Sequence, residues 1–546
     1  MSASHKKSLR KEQQTAQMTE RQLHEQKEAK KLKVYTAVFT GVLALILVLA
    51  VVFGISKFIS NNGIMEKNTI AATVGTHELT NAELNYYFVD QVNEFYNNYG
   101  SYASMFGLDL TKPLDKQVTN AETGATWADD FITAALSAAQ QNYALADAAK
   151  AAGYELSEDE IKEVDTNLGT ISLYAVLYGY ADTDAYLRAM YGKGATEETF
   201  RDYLLLQALA NSYYANYATA LTYDDAAIKA EDDANAVAYN HYSYNAYYML
   251  ASRFYEGGTK DENGTTTYSE EEQAAGIAKA EETAKALAEG GYATVEELDA
   301  AIAALSINEG STTASSTAYT DTAYDSINTY ILDWVTDSSR KAGDLTYLPN
   351  TSTTTRDGVE TTVVNGYYVV MFHAVEDNTY PLVNVRHILI QPEGGTYNST
   401  TGLYDYTEEE MAAAKLEAQV LLDEFKAGKA TSMDFADLAN EHSADGDGTT
   451  GGLFENVVPG QMVANFNDWC FEEGRKAGDT GLVESDYGWH IMYYEGDSDV
   501  TYREYLIDQA LRGADVDAWY ATCLEATVVT ALNTNYVNKG LVLSNG

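Results

Sequence analysis

The 546-residue sequence is poor in cysteine and proline. Its two cysteines, Cys470 and Cys523, are too few for a disulfide framework, and at most one disulfide can join them. Five prolines exclude a collagen-like or proline-rich linker protein. Apolar residues make up 46% of the chain, which predicts a mostly globular protein of several domains.

Positive charge is scarce after the amino terminus. The chain has 35 Lys and Arg against 81 Asp and Glu, a formal net charge of -46. Residues 1–33 carry nine of the basic and four of the acidic residues, so this tail has a charge of +5 and the rest of the chain has -51. Because nucleic acids are bound mainly through Lys and Arg, the acidic surface argues against a nucleic-acid partner.

One long charge-free run is strongly apolar. The stretch "VYTAVFTGVLALILVLAVVFGI" from Val34 to Ile55 has 22 residues and would span about 33 Å as a helix. Its length and flanks favour an uncleaved anchor over a signal peptide. We predict a transmembrane helix over 34–56, with the basic tail 1–33 cytoplasmic and the carboxyl-terminal ectodomain extracellular.

Residues 68–240 have Ala, Leu and Tyr at helical spacing after a short strand-like opening. Ser157 and Glu160 have the spacing of a capping box, and Thr196 is a candidate cap for another helix. The pattern is helical again over 500–546, so we predict a helical domain at 68–240 that the final helix completes. The 43 tyrosines of the chain fit either a contact surface for extended polypeptides or the helical core.

The middle of the chain contains an internal duplication. Three blocks recur in the same order, at separations of 138, 135 and 122 residues: "YSEEEQAA" and "YTEEEMAA", "DWVTDSSRKAGD" and "DWCFEEGRKAGD", "NGYYVVMF" and "DYGWHIMYY". The order of the blocks predicts two copies of one domain, at 241–380 and 381–498. Each copy reads as strand, loop, capped helix and strand, which predicts the α+β class.

Two histidines stand out in the second copy. Alternation in "VNVRHILI" places His387 on one face of a strand with Val383, Val385 and Leu389. Alternation in "GWHIMYY" places His490 on one face with Met492 and Tyr494. A lone histidine in a strand is usually structural, but two in matching strands indicate a candidate site.

Five separated motifs of residues 381–496 resemble the parvulin-type prolyl isomerase family: "VRHILI", "FADLANEHSADG", "GG", "PGQMVANFNDWCFEEGRKAGDTGLV" and "DYGWHIMYY". The resemblance implies a small antiparallel sheet flanked by helices, with the first and last strands adjacent. The anchor, the helical segment and the paired domains together resemble extracytoplasmic foldases of the PrsA and SurA kind.

The resemblance also implies roles for individual residues. His387 and His490 would be paired histidines, Asp445 would take a position that the family fills with Asp or Cys, and Ser485 would support the pair. Met462 and Phe466 would line the proline pocket. The stretch "GGLFENVVPG" departs from the usual Gly-Gly-Asp-Leu-Gly pattern, so either Leu453 or Phe454 would complete that pocket.

Such a site suits rotation about X-Pro bonds. The barrier is about 18 to 20 kcal/mol because the twisted amide loses its resonance. An apolar slot disfavours the more dipolar planar amide relative to the transition state, without metal or cofactor. A calcium loop beginning at Asp445 is disfavoured, because Thr450 and Asn456 occupy the positions that require Gly and Glu. The expected partners are unfolded or newly translocated polypeptides that contain X-Pro bonds.

The first copy serves as an internal comparison. Aligned by sequence, it has Tyr248 in the place of His387 and Tyr368 in the place of His490. We therefore expect a degenerate domain without isomerase activity. Two rival interpretations remain open: a non-catalytic holdase in which the second copy is inactive too, and an envelope scaffold or adhesin.

Overall fold

A computed structural model describes residues 63–311, 313–356, 359–446 and 448–543. The predicted basic tail 1–33 and transmembrane segment 34–56 lie outside these residues. None of the helices within the described ranges is long and apolar enough to cross a bilayer. The described chain forms two compact units, one at 223–509 and the other at 63–222 together with 510–543.

The unit formed by 63–222 and 510–543 is mainly helical. Its elements are α1 (Ile64–Asn68), β1 (Ile70–Val74), β2 (His77–Thr80), α2 (Asn81–Tyr99), α3 (Trp127–Ala151), α4 (Glu158–Leu177), α5 (Thr183–Tyr191), α6 (Glu197–Ala220) and a last strand, β15 (Val529–Ala531). Strand β1 lies between β15 and β2 in an antiparallel sheet. The carboxyl-terminal residues thus share a sheet with the start of the unit.

Local sequence signals set the ends of these helices. The predicted capping box of α4 is confirmed, because the Ser157 hydroxyl accepts from the Glu160 N–H while the Glu160 carboxylate accepts from the Ser157 N–H. Thr196 caps α6, as predicted. In the core of this unit, Tyr86, Tyr186 and Tyr191 are fully buried. Many tyrosines therefore fill the core, as one of the two interpretations expected.

The unit at 223–509 contains two sheets of four strands with helices packed against them. The strands of the first copy are β3 (His241–Leu250), β4 (Thr259–Lys260), β5 (Thr266–Thr267), β6 (Thr317–Ala323), β7 (Leu345–Arg356) and β8 (Val359–Glu376). The strands of the second copy are β9 (Pro381–Ile390), β10 (Thr396–Asn398), β11 (Leu403–Asp405), β12 (Leu453–Val457), β13 (Thr480–Ser485) and β14 (Gly488–Thr501).

Helices occupy corresponding places in both copies. They are α7 (Asp225–Asn235), which precedes the first copy, then α8 (Glu270–Ala288), α9 (Val295–Ala303) and α10 (Leu332–Val335) in the first copy, and α11 (Glu408–Ala427), α12 (Ser432–His442) and α13 (Ala464–Cys470) in the second. Helix α14 (Tyr502–Ala526) follows β14. The described chain is therefore of mixed α and β structure, as predicted.

The duplication is visible in the hydrogen bonding. The sheet orders β6-β3-β8-β7 and β12-β9-β14-β13 are the same topology. Each capping-box glutamate also accepts from a glycine of the preceding loop, Glu272 from Gly258 and Glu410 from Gly395. A Cβ on Gly257 or Gly394 would lie 2.4 or 2.2 Å from that same carboxylate, so both loops need glycine there.

The sheet register corrects one expectation. Tyr368 corresponds to His490, since both stand two residues after the equivalent Gly366 and Gly488. Tyr368 pairs with Tyr248, whereas His490 pairs with Leu389. Tyr248 therefore corresponds to Leu389. The residue in the place of His387 is Ala246, which pairs with Val370 as His387 pairs with Met492.

Candidate active site

The centre of the second sheet brings the two predicted histidines together. His387 on β9 and His490 on β14 are 1% and 4% exposed. His490 pairs with Leu389 across the two antiparallel strands, and His387 lies two residues before Leu389 on β9. Residues two apart on a strand share a face, so both rings stand on the same face of the sheet. Their Nδ1 atoms are 3.1 Å apart and the rings are stacked, with centroids 5.2 Å apart and planes inclined by 24°.

The buried carboxylate of Asp445 lies on the other side of the first imidazole. Its Oδ2 is 3.3 Å from His387 Nε2. The preceding segment is attached to β9, because the Leu389 N–H donates to Ser443 Oγ at 3.1 Å and the Ala444 N–H donates to the Leu389 carbonyl at 2.6 Å. The Asp445 N–H also donates to Ser443 Oγ, at 3.2 Å. The sheet edge thus positions the carboxylate.

Ser485 is at the far end of the same row, at the end of β13. Its Oγ lies 2.6 Å from His490 Nε2 and accepts from the Tyr487 N–H at 3.2 Å. The tight turn between β13 and β14 begins at this serine and ends at Gly488. The turn therefore fixes the hydroxyl against the second imidazole.

These contacts permit a consistent arrangement of protons. With Asp445 ionised, His387 donates from Nε2 to the carboxylate, which leaves its Nδ1 as an acceptor. His490 then donates from Nδ1 to His387, and its Nε2 accepts from the Ser485 hydroxyl. Both imidazoles are neutral in this assignment, which follows from the network of partners.

The electrostatics of the site favour the neutral form of His490. The pKa of His490 is held well below its usual value, first because burial disfavours the charged form and second because His387 lies beside it. Protons on both rings at once would disrupt the row, since both Nδ1 atoms would then carry hydrogen and neither could accept.

An aromatic wall adjoins the two imidazoles. The ring centroid of Phe466, on α13, is 5.2 Å from that of His387 and 5.4 Å from that of His490. Phe454 on β12 is 5.2 Å from His387. Phe454 pairs with Val385, on the histidine face, whereas Leu453 pairs with Arg386, on the opposite face.

The remaining predicted pocket residue, Met462, is half-buried in the turn before α13. The structure thus brings together His387, His490, Asp445, Ser485, Phe454 and Phe466, and it places Leu453 away from them. It holds no group of three or more His, Cys, Asp or Glu side chains arranged for a metal ion within the described residues. Cys470 and Cys523 are both free thiols.

Two family models match the sequence. The PPIC-type PPIASE domain matches residues 367–495, which include every residue of the site. The chain carries a parvulin-type peptidyl-prolyl isomerase domain. A SurA-like N-terminal domain matches residues 26–214. Both matches confirm the resemblance to foldases of the PrsA and SurA kind, while a comparison with curated proteins gives no match.

Several solved structures are similar to parts of the chain. Peptidylprolyl isomerase PrsA from Bacillus cereus is 21% identical over 27% of this chain and 49% of its own, with a TM-score of 0.18. PrsA from Bacillus anthracis is 20% identical over 28% and 59%, with a TM-score of 0.18. PrsA from Bacillus subtilis is 13% identical over 87% and 98%, with a TM-score of 0.26. The first two alignments span only about half of those relatives.

Sequence reasoning missed two residues that hold the parvulin domain's site in place. Ser443 is 3% exposed, and its hydroxyl oxygen accepts from the N–H groups of Leu389 and Asp445. No pattern in "HSADG" predicted this role. Arg386 donates from Nη1 to the Gly451 carbonyl at 2.7 Å and from Nε to the Glu495 carboxylate. An arginine next to the first histidine in an otherwise apolar strand was the available signal, because a partly buried charge needs partners.

Proposed function

We propose that this chain is a foldase, a peptidyl-prolyl cis-trans isomerase with chaperone activity towards unfolded polypeptides. The observation that carries the proposal is the buried row of Ser485, His490, His387 and Asp445 beside an aromatic wall. This row lies within a sequence match to the PPIC-type PPIASE domain. The SurA-like match supports the chaperone part.

In this proposal the aromatic wall receives the proline ring. Phe454 and Phe466 exclude water from the prolyl amide, with Met462 at the side of the slot. The planar amide is more dipolar than the twisted one, so a water-poor environment raises its free energy relative to the transition state. Lowering the barrier by about 5 kcal/mol would accelerate isomerisation a few thousand-fold.

The polar row has a different task. Its hydrogen bonds hold both imidazoles in place as the floor of the slot. The negative charge of the Asp445 carboxylate modulates the charge around the rotating carbonyl. No bond of the substrate is broken, so neither a nucleophile nor a metal is required.

The location is also part of the proposal. The charge-free run at 34–56 and the basic residues before it support a single amino-terminal anchor in the cell membrane, with the ectodomain outside. There the isomerase would meet newly translocated polypeptides before they fold. Residues 68–240 with 500–546 would form the chaperone domain, and 241–380 and 381–498 the two parvulin-like domains.

The first parvulin-like copy would not isomerise prolyl bonds. Ala246 and Tyr368 replace the two imidazoles, so no equivalent row can form. The rival proposal is a holdase without catalysis, which the SurA-like match alone would equally support.

A protease-coupled assay with proline-containing peptides separates the two proposals, performed on the full chain in detergent. A foldase accelerates isomerisation, and its His387→Ala and Asp445→Ala variants lose most of that acceleration while still suppressing aggregation of an unfolded client. Equal rates for the wild type and both variants would leave only the holdase.

A further inference from the structure

The two parvulin-like copies differ at one edge of the first strand. In the second copy, the chain's own residues after α12 cover the edge of β9 at Leu389. The Leu389 N–H donates to Ser443 Oγ, and its carbonyl accepts from the Ala444 N–H. A short segment of the chain itself therefore occupies this edge, just beside the first imidazole.

In the first copy, the corresponding segment takes another path. After α9, residues Ser306–Asn308 form a 3-10 helix. The Asn308 side-chain amide donates to the Tyr247 hydroxyl at 2.9 Å and to the Ile302 carbonyl at 2.8 Å, which holds the turn there. Strand β6 pairs with β3 only as far as Thr317 opposite Ala246. Within the described residues, neither β6 nor this turn is paired with β3 at Tyr248.

A cavity of about 330 Å³ lies at this uncovered edge. Its walls include Ala246, Tyr248, Arg253, Asn308, Ser315 and Thr317. The volume falls within the range of ligand-binding clefts, about 300 to 1,000 Å³.

The walls are suited to a polypeptide main chain. Tyr248 corresponds to Leu389 in the register, so its N–H and carbonyl point toward the cavity as those of Leu389 point toward Ser443 and Ala444. Ser315 and Thr317, which have hydroxyl side chains, are among the other lining residues. The Arg253 guanidinium donates to Asn308 Oδ1 at 3.1 Å and to the Ile307 carbonyl, which fixes it at the rim.

We propose that the first copy binds an extended segment of a client polypeptide by adding it as a strand to the edge of β3 at Tyr248. The template for this occupant is the second copy itself, where Ser443 and Ala444 occupy the equivalent edge. Main-chain hydrogen bonds would supply the affinity, so binding does not require proline. The inference rests on the proposed function only for the class of client, an unfolded polypeptide.

Two variants of the full chain test the site. Thr317 is exposed on β6 and lines the cavity, whereas Thr320 is exposed on the same strand and does not. Thr317→Trp should fill the cavity, and Thr320→Trp is its matched control. The probe is a fluorescein-labelled, proline-free peptide of ten residues with β-branched and aromatic side chains, together with the same peptide methylated on alternate main-chain nitrogens.

The wild type and Thr320→Trp should bind the peptide equally, and Thr317→Trp should raise the Kd at least tenfold. Methylation should weaken binding to a similar extent, and hydrogen exchange of the Tyr248 amide should slow when the peptide binds. Absence of binding to the wild type, or equal Kd values for the two tryptophan variants or the two peptides, would overturn the proposal. Prolyl isomerisation should stay unchanged in both variants, so failure here is distinct from failure of the isomerase.

Discussion

The Nδ1 atoms of His387 and His490 lie 3.1 Å apart, although 103 residues separate the two histidines in the chain. Neither ring can reach the other by local structure, so the pairing of β9 with β14 creates the contact. One nitrogen must donate and the other accept, which makes each ring dependent on the protonation state of its neighbour.

Removing one imidazole should therefore disable the site. We expect His387→Ala to lower kcat/KM for proline-containing peptides at least tenfold, which corresponds to about 1.4 kcal/mol of transition-state stabilisation. The acceptor for His490 Nδ1 is lost and a cavity opens beside Phe466. The matched control is Tyr368→Ala in the first copy, which should leave kcat/KM unchanged. A similar loss in both variants would contradict the assignment of the site.

The charge and the hydrogen bond of Asp445 can be separated by two substitutions. Asp445→Asn keeps an acceptor near His387 Nε2 but removes the negative charge, whereas Asp445→Ala removes both. We expect both variants to lose isomerase activity. Asp445→Ala should additionally lower the free energy of unfolding by about 1 to 3 kcal/mol relative to Asp445→Asn, because a buried polar group loses a partner. Urea denaturation followed by fluorescence measures the difference.

The sequence was sufficient to predict this row of side chains, because alternation placed each histidine on a face and the family resemblance supplied their partners. It was not sufficient for the register of the first copy. A shift of two residues keeps every side chain on its own face, so alternation cannot distinguish Ala246 from Tyr248 as the counterpart of His387. Only the hydrogen-bonded pairs of β3 with β8 decide it.

The choice between Leu453 and Phe454 had a similar origin. The two residues are adjacent, and they point to opposite faces of β12. Which of the two side chains faces the histidines depends on how β12 pairs with β9, and alternation within β12 alone does not give this pairing. The register also shifts between Phe454 and Val457. The structure places Phe454 beside His387, and this placement makes the contribution of each residue testable.

We expect Phe454→Leu to raise KM for proline-containing peptides several-fold, because the slot loses an aromatic wall while most of its volume remains filled. Leu453→Ala removes apolar surface from the other face and should leave KM unchanged. Steady-state kinetics on both variants, with thermal unfolding to verify folding, gives the comparison. A larger effect of Leu453→Ala on KM would indicate that the pocket lies on the opposite face.

Acid should destabilise the parvulin domain through His490. Its folded-state pKa is depressed, so the unfolded chain binds a proton that the folded domain excludes once the pH falls below about 6.5. The stability present above pH 6.5 is therefore lost as the pH falls toward the folded-state pKa, with a slope of up to about 1.4 kcal/mol per pH unit.

The measurement is the free energy of unfolding between pH 7.5 and pH 5 for the wild type and for His490→Gln. Titrating groups elsewhere contribute equally to both proteins and cancel in the difference. We expect the wild type to lose about 2 kcal/mol more than the variant between pH 6.5 and pH 5. Parallel curves would show that His490 titrates normally in the folded protein.

Asp90 in the helical unit should have the opposite pH dependence. The Tyr203 hydroxyl donates to its Oδ2 at 2.5 Å, while Oδ1 is buried without a hydrogen bond among the described residues. Burial, with a smaller contribution from Glu94, raises its pKa to about 7, although the hydrogen bond from Tyr203 lowers it. The folded unit therefore holds a proton that the unfolded chain releases near pH 4, and stability is lost as the pH rises from about 4 through 7.

Asp90→Asn removes this titration while keeping an acceptor for Tyr203. We expect the variant to gain about 2 to 3 kcal/mol of stability relative to the wild type between pH 5 and pH 8, because only the wild type must bury an ionised carboxylate at the higher pH. Denaturation midpoints at both pH values measure the effect. Glu94→Gln, a neighbouring change on the same helix, should produce a much smaller pH dependence. A constant difference between Asp90→Asn and the wild type at both pH values would mean that Asp90 is ionised in the folded unit throughout.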